Sequence, residues 1–277
     1  MMVLENGNDN PKKTPVTIWS GHYSRWSDAV AAADEVNAAS AAPAAFDSNR
    51  WIERQRGMLE GARIGLAPRH SSLPLLAAGI GALSIVDFGG GSGWAYELLA
   101  PFTRDSLSRY TVIEQEVTTE IFSKEFERNN NVEFVSSASI SEVVPHEAID
   151  LLYSNSTLQY LPNNAFFLGL IRTYQPRMIL IDDFQTSSGA EFFSLQHYYG
   201  VEIPCRFSSV STLAGDCLES DYNLLGTWSY PKAYGGALTP SLSGTTDWGG
   251  GDLKLVLHKR CCLLNARLLV YGRKIGE

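Results

Sequence analysis

Three glycines at alternate positions, Gly89, Gly91 and Gly93, follow an aspartate in the run Asp87-Phe-Gly-Gly-Gly-Ser-Gly93, with Gly90 between the first two. Glycines so spaced let a loop turn sharply and let its backbone approach a ligand that a Cβ would hold off. The apolar stretch before them, Ser84 to Phe88, reads as a buried strand, and Trp94 to Leu99 opens a helix. Strand, glycine loop and helix start together make a cradle for a nucleotide-like ligand, because the free N–H groups of a helix N-terminus attract polar and anionic groups. Glu114 fits the same chemistry. It closes the next strand-like run, Tyr110-Thr-Val-Ile-Glu114, where a carboxylate can accept hydrogen bonds from both hydroxyls of a ribose.

The loop discriminates between nucleotides. A dinucleotide cradle wants G-x-G-x-x-G/A, whose third small residue lets helix and strand pack closely. Here that place is held by Trp94 or, counted from Gly91, by Tyr96. What remains whole is D-x-G-x-G-x-G, which resembles the first motif of class I S-adenosylmethionine-dependent methyltransferases. The resemblance implies S-adenosylmethionine as cofactor, held by Asp87, Gly89, Gly90, Gly91 and Gly93, with Glu114 and Gln115 at the ribose. It places the adenine near Phe134-Val-Ser-Ser-Ala138, where Ser137 stands in a position that is acidic in many members. It also reads Asp150-Leu-Leu-Tyr-Ser-Asn-Ser-Thr-Leu-Gln-Tyr-Leu-Pro162 as the fourth motif, putting Ser154, Asn155 and Tyr160 beside the transferable methyl.

A narrower likeness runs from about Trp19 to Trp228. The segments Trp19-Ser-Gly-His-Tyr-Ser-Arg-Trp-Ser-Asp-Ala29, Phe46-Asp-Ser, Val86 to Gly93, Val112-Ile-Glu-Gln115 and Ser154 to Leu161 occur in that order. This resembles a family of bacterial methyltransferases whose members accompany polysaccharide biosynthesis genes, and it implies a saccharide or other small hydroxylated acceptor. The chain departs from that pattern in an alanine-rich insert and in its C-terminal loop.

Methyl transfer from a sulfonium is an in-line displacement, so an acceptor hydroxyl must be aligned and must lose a proton. His197, in Phe192-Phe-Ser-Leu-Gln-His-Tyr-Tyr199, is the expected base, since an imidazole titrates near neutrality. Asp183 ends the fifth strand, at the edge where ligands of open α/β sheets bind, and is expected to orient the acceptor. Asp182 and Asp183 alone do not make a metal site, and no metal is expected. Two other readings remain open: a nicotinamide-dependent oxidoreductase, and a member that binds the cofactor without methyl transfer.

The elements that must position these residues alternate. Strands are predicted at Ser84–Phe88, Tyr110–Glu114, Val132–Val135, Asp150–Ser154 and Met178–Ile181, and helices at Trp94–Ala100, Val117–Phe126 and Asn164–Tyr174. That order predicts a doubly wound, mostly parallel, seven-stranded α/β sheet of Rossmann-like type. Tyr222–Ser229 and Leu263–Tyr271 are expected as an antiparallel pair at one edge, and Leu253–Leu257 is ambiguous. The predicted layout is a disordered tail over 1–15, an N-terminal helical cap over 16–75, and a cofactor-binding domain over 76–277 with a flexible loop at 234–251.

Composition is that of a chain able to bury a core, with 44% hydrophobic and 19% charged residues over 277 positions. A net charge of −8 argues against a nucleic-acid partner, which would call for a basic stripe. The apolar run Leu73 to Val86 is too short and too broken by Pro74, Gly79 and Gly81 to span a membrane. The polar N-terminus lacks a secretory core, and the four cysteines form no metal-type pair, so a cytoplasmic location with free thiols is expected.

Overall fold

A computed structural model describes residues 18–40, 45–65, 72–82, 84–103, 106–138, 149–187, 189–198, 200–230, 233–234, 237–238 and 252–259. The strands are β1 (Trp19–Tyr23), β2 (Ser84–Phe88), β3 (Arg109–Glu114), β4 (Val132–Ser136), β5 (Leu151–Asn155), β6 (Met178–Ser187), β7 (Phe192–Tyr198), β8 (Val201–Ser209), β9 (Tyr222–Tyr230), β10 (Ala233–Tyr234), β11 (Ala237–Leu238) and β12 (Asp252–Lys259). The α-helices are α1 (Trp26–Ser40), α2 (Asn49–Arg63), α3 (Ser72–Ile80), α4 (Trp94–Thr103), α5 (Glu116–Phe122), α6 (Ala165–Tyr174) and α7 (Val210–Glu219).

Seven strands form the expected frame, in the order β4-β3-β2-β5-β6-β12-β9. The first five are parallel, and β12 alone runs against its neighbours β6 and β9. Among the described residues the partner of β9 is the ambiguous Leu253–Leu257 stretch, within β12, and the expected Leu263–Tyr271 strand lies outside the described residues. Strand pleating explains how the sheet is covered. Ile85, Val112, Leu151 and Leu180 share one apolar cluster with α2, α3 and α4, while Val86, Ile113, Leu152 and Ile179 join a second with α6 and α7. Adjacent residues point to opposite faces, so each parallel strand needs apolar side chains on both.

The frame is longer than predicted. Beyond its expected end at Ile181, β6 continues to Ser187, where Thr186 and Ser187 pair in parallel with Ser208 and Ser209 of β8. The hairpin β7–β8 and the N-terminal β1, antiparallel to β7, extend the sheet to ten strands.

The front segment, expected as an N-terminal helical cap, opens with the strand β1, and α1 and α2 pack in different places. On one face of β7, α1 packs Ala29 and Ala33 against Phe193 and Leu195. Its Asn37 side chain brackets Glu202, donating to the carbonyl at 2.8 Å and accepting from the N–H at 2.9 Å. Helix α2, capped by Ser48 Oγ on the Trp51 N–H, instead buries Ile52, Leu59 and Ala62 in the cluster of the main sheet. His22 and Tyr23 both lie in β1, and His22 stacks on Phe192 with ring centres 4.7 Å apart.

The expected tail, 1–15, lies outside the described residues, as does the 234–251 loop apart from Tyr234 and the short strand β11. Among the described residues no helix is long and apolar enough to cross a membrane. Cys205 and Cys217 are buried thiols outside any disulfide.

Candidate functional site

A cleft of about 650 Å³ opens at the carboxyl ends of β2, β3, β5 and β6, the edge where open α/β sheets take ligands. Its floor is the glycine loop. Gly89 and Gly91 line it and both adopt left-handed backbone, φ +72° and +59°. A Cβ on Gly89 would stand 2.7 Å from the Cβ of Thr157, and one on Gly91 would stand 2.7 Å from the Cδ of Gln55. Neither position tolerates a side chain, so bare backbone faces the cleft.

Glu114 lines the next part of the wall. One carboxylate oxygen accepts from the Gly91 N–H at 3.2 Å and the other from the Gln115 N–H at 2.7 Å. Each oxygen keeps a lone pair for a further donor. Burial raises the Glu114 carboxyl above its ordinary value, and the two backbone hydrogen bonds oppose that rise. Gln115, Ser137 and Asn155 also line the cleft. Tyr160 does too, and its phenol donates to Gln196 Oε1 at 2.7 Å.

Asp183 enters by a device that sequence patterning does not show. The pairing of β12 with β6 slips between Ile181 and Phe184, so β6 bulges at Asp182 and Asp183. Asp183 sits at φ +53° and aims its carboxylate into the cleft, where Ser156 Oγ donates to it at 2.7 Å. Ser156 is itself left-handed, at φ +54°. Two strained residues bonded to each other, one just past the end of β5 and one at a bulge in β6, are characteristic of a site that geometry must over-determine.

Four residues expected at the ligand stand behind it. Asp87, Gly90, Gly93 and Ser154 do not line the cleft. Asp87 is buried and takes the Tyr110 phenol on Oδ2 at 2.6 Å, directly under Gly90, where a Cβ would come within 2.5 Å of that oxygen. Gly93 backs onto Phe134 and Phe126. Ser154 Oγ donates to the Phe88 carbonyl at 3.1 Å. These residues shape the loop from its inner side.

His197 is corrected more sharply. Gln196 and Tyr198 line the cleft, so pleating turns His197 to the opposite face, where it is exposed and pairs with Glu202 at 3.0 Å. His197→Ala is expected to leave turnover within about twofold, as exposed substitutions generally do. A fall of more than tenfold in kcat would return His197 to the chemistry.

Sequence reasoning misses the contribution of α2. Gln55 is buried on the same helical face as Ile52 and Leu59. Its Oε1 accepts the Ser92 N–H at 3.0 Å, and its carbonyl accepts Ser92 Oγ at 2.9 Å. The signal available was a polar residue inside an apolar helical stripe, which demands a partner somewhere. Trp51, Arg54 and Met58 of the same helix line the cleft. Thr157, Gln159, Gln185 and Gln196 were missed as well.

No family model matches the chain, and no curated protein matches it. Solved structures do. A candidate methyltransferase of Bacillus halodurans is 14% identical, with a TM-score of 0.51 over 69% of this chain and 98% of that one. The YcgJ protein of Bacillus subtilis is 15% identical, with a TM-score of 0.50 over 69% and 99%. A 1,6-didemethyltoxoflavin-N1-methyltransferase of Burkholderia thailandensis, solved with S-adenosylhomocysteine, is 16% identical, with a TM-score of 0.48 over 84% and 86%. The likeness to the first two, joined to the strand order above, shows that the chain has the α/β fold of class I methyltransferases.

Proposed function

We propose that the chain is an S-adenosylmethionine-dependent methyltransferase acting on a small hydroxylated acceptor, with saccharides the first class to test. The observation that carries this reading is the placement of Gly89, Gly91 and Glu114 around one cleft of about 650 Å³. The residues fit the cofactor. Bare backbone at Gly89 and Gly91 accommodates close approach, and Glu114 keeps lone pairs for two ribose hydroxyls. Gln115, Ser137 and the backbone of Ala138 would flank the adenine, and Asn155 and Tyr160 the methyl-bearing end. When bound, S-adenosylmethionine supplies an electrophilic methyl group.

The chain's own part is orientation and proton handling. With His197 on the other face, Asp183 is the carboxylate that faces the acceptor side, fixed by Ser156. It accepts the hydrogen of the attacking hydroxyl and aligns that oxygen for in-line attack. Phe46, Trp51, Tyr160 and Tyr198 supply the flat apolar surfaces on which a sugar ring stacks.

Calorimetric titration with S-adenosylhomocysteine and NAD side by side tests the cofactor. The first is expected to bind and the second not; absence of S-adenosylhomocysteine binding sinks the reading. Asp183→Asn is expected to lower kcat by roughly 10²- to 10⁴-fold while leaving the affinity for S-adenosylhomocysteine unchanged. An unchanged kcat would remove Asp183 from the mechanism.

A further inference from the structure

Among the described residues, the charged side chains lining the cleft are Arg54, Glu114 and Asp183. The two carboxylates have partners in the loop and in Ser156. Arg54 differs. It is exposed on α2, no described carboxylate pairs with it, and its guanidinium lies over the Tyr198 ring, 5.4 Å from the centroid. A cation held on an aromatic face keeps its N–H fork directed outward from the ring edge, available to a planar anion.

The neighbouring amides are spent in one direction only. Tyr198 and Gln196 share a face of β7, and Gln196 Oε1 is taken by the Tyr160 phenol, which leaves its N–H donors. The next residue to Tyr160, Gln159, is buried and makes no side-chain hydrogen bond, and its Oε1 is sealed from solvent. What its side chain can offer a bound group is therefore its NH2, which only donates. The capacity this wall presents to the cleft is donor capacity: one guanidinium and the NH2 groups of two amides. The group complementary to donors alone is one that only accepts, and an ionised carboxylate is such a group.

We propose that Arg54, seated on Tyr198 and assisted by the amides of Gln196 and Gln159, forms a carboxylate subsite of the cleft. This rests on the methyltransferase reading. The carboxylate has two possible sources, the amino-acid tail of the cofactor and an acidic group on the acceptor. Asp183 and Glu114 keep the remaining cleft unfavourable to a second anion, so the carboxylate has one place to go.

The experiment compares the full-length protein with Arg54→Met and Arg54→Lys in two calorimetric arms. The first titrates S-adenosylhomocysteine against 5′-methylthioadenosine, which lacks the amino-acid tail. The second titrates D-glucuronate against methyl β-D-glucopyranoside in the presence of saturating S-adenosylhomocysteine. If the subsite takes the cofactor tail, Arg54→Met weakens S-adenosylhomocysteine by roughly tenfold or more, leaves 5′-methylthioadenosine unchanged, and Arg54→Lys recovers part of the loss. If it takes the acceptor, both nucleosides bind the variants normally, and glucuronate binding, but not glucoside binding, depends on Arg54 by a similar factor. Equal weakening of both nucleosides, or no dependence on Arg54 in either arm, overturns the subsite. Wild-type protein that binds neither nucleoside fails the cofactor reading instead, and the glucuronate arm, repeated without nucleoside, then decides the subsite by itself.

Discussion

Gly91→Ala is expected to weaken S-adenosylhomocysteine binding by at least about 100-fold, or roughly 2.7 kcal/mol. The new Cβ would collide with the Gln55 side-chain amide, approaching its Cδ to 2.7 Å. Relief requires Gln55 to move, and Gln55 is buried and holds Ser92 through two hydrogen bonds. The left-handed backbone at φ +59° adds roughly 1–2 kcal/mol of strain for any residue with a Cβ. The variant therefore damages loop shape and helix seating together, and the Gly91 N–H that braces Glu114 shifts with them. Calorimetry on the folded variant measures the effect, and Gln55→Ala combined with Gly91→Ala should recover part of it. Wild-type affinity in Gly91→Ala would refute the fit between α2 and the loop.

The second large effect is on stability and depends on pH. Burial pushes the Asp87 carboxyl up from 3.8 to about 7, opposed by the Tyr110 hydrogen bond and reinforced by the nearby charge of Glu114. In the unfolded chain Asp87 ionises near its ordinary value, whereas in the folded protein it holds its proton until near neutrality. Between those values the folded state binds more protons, so stability falls as pH rises, and the loss is complete above about 7. The gap corresponds to roughly 4 kcal/mol between pH 4 and pH 8. Asp87→Asn keeps an acceptor for Tyr110 and removes the titration. Its urea midpoint should match wild type near pH 4 and exceed it increasingly up to pH 7, after which the difference levels off. Glu114, also raised by burial, leaves a residual slope in the variant. Superimposable pH profiles for the two proteins would show that Asp87 is ionised in the folded state at all these values.

The cradle was legible because its signal is local. Gly89, Gly91 and Glu114 are declared by residue type and by position at strand ends, and the frame around them by the alternation of apolar strands with helices. The opposite wall of the cleft was not legible. His197 sits in a segment whose first five residues are buried on both faces, so its sequence lacks the polar-apolar alternation that would announce a strand and assign sides. Once β7 is a strand, parity sends Gln196 and Tyr198 inward and His197 outward. Asp183 reads as a strand-end residue in sequence but lies inside β6, and its aim depends on a bulge set by β12, a partner far along the chain. Gln55 depends on a tertiary contact with Ser92 that no local pattern encodes. The front motif around Tyr23 and Trp26 drew attention as a unit, yet its strand and helices serve different faces of the sheet.

The pairing of β1 with β7 has a consequence for how the molecule is made. Trp19 and Ser20 find their ladder partners in Gln196 and Leu195, and Asn37 finds its own in Glu202. A ribosome therefore releases the front segment well before its partners exist. Contacts this distant in sequence are slow to form, because the loop-closure entropy must be met before the pairing rewards it. The Tyr198 shelf and the floor of loop and α2 can face each other only after Glu202 has emerged from the exit tunnel. Until then Trp19 and the Ala29–Ala33 flank of α1 lack the partners that bury them.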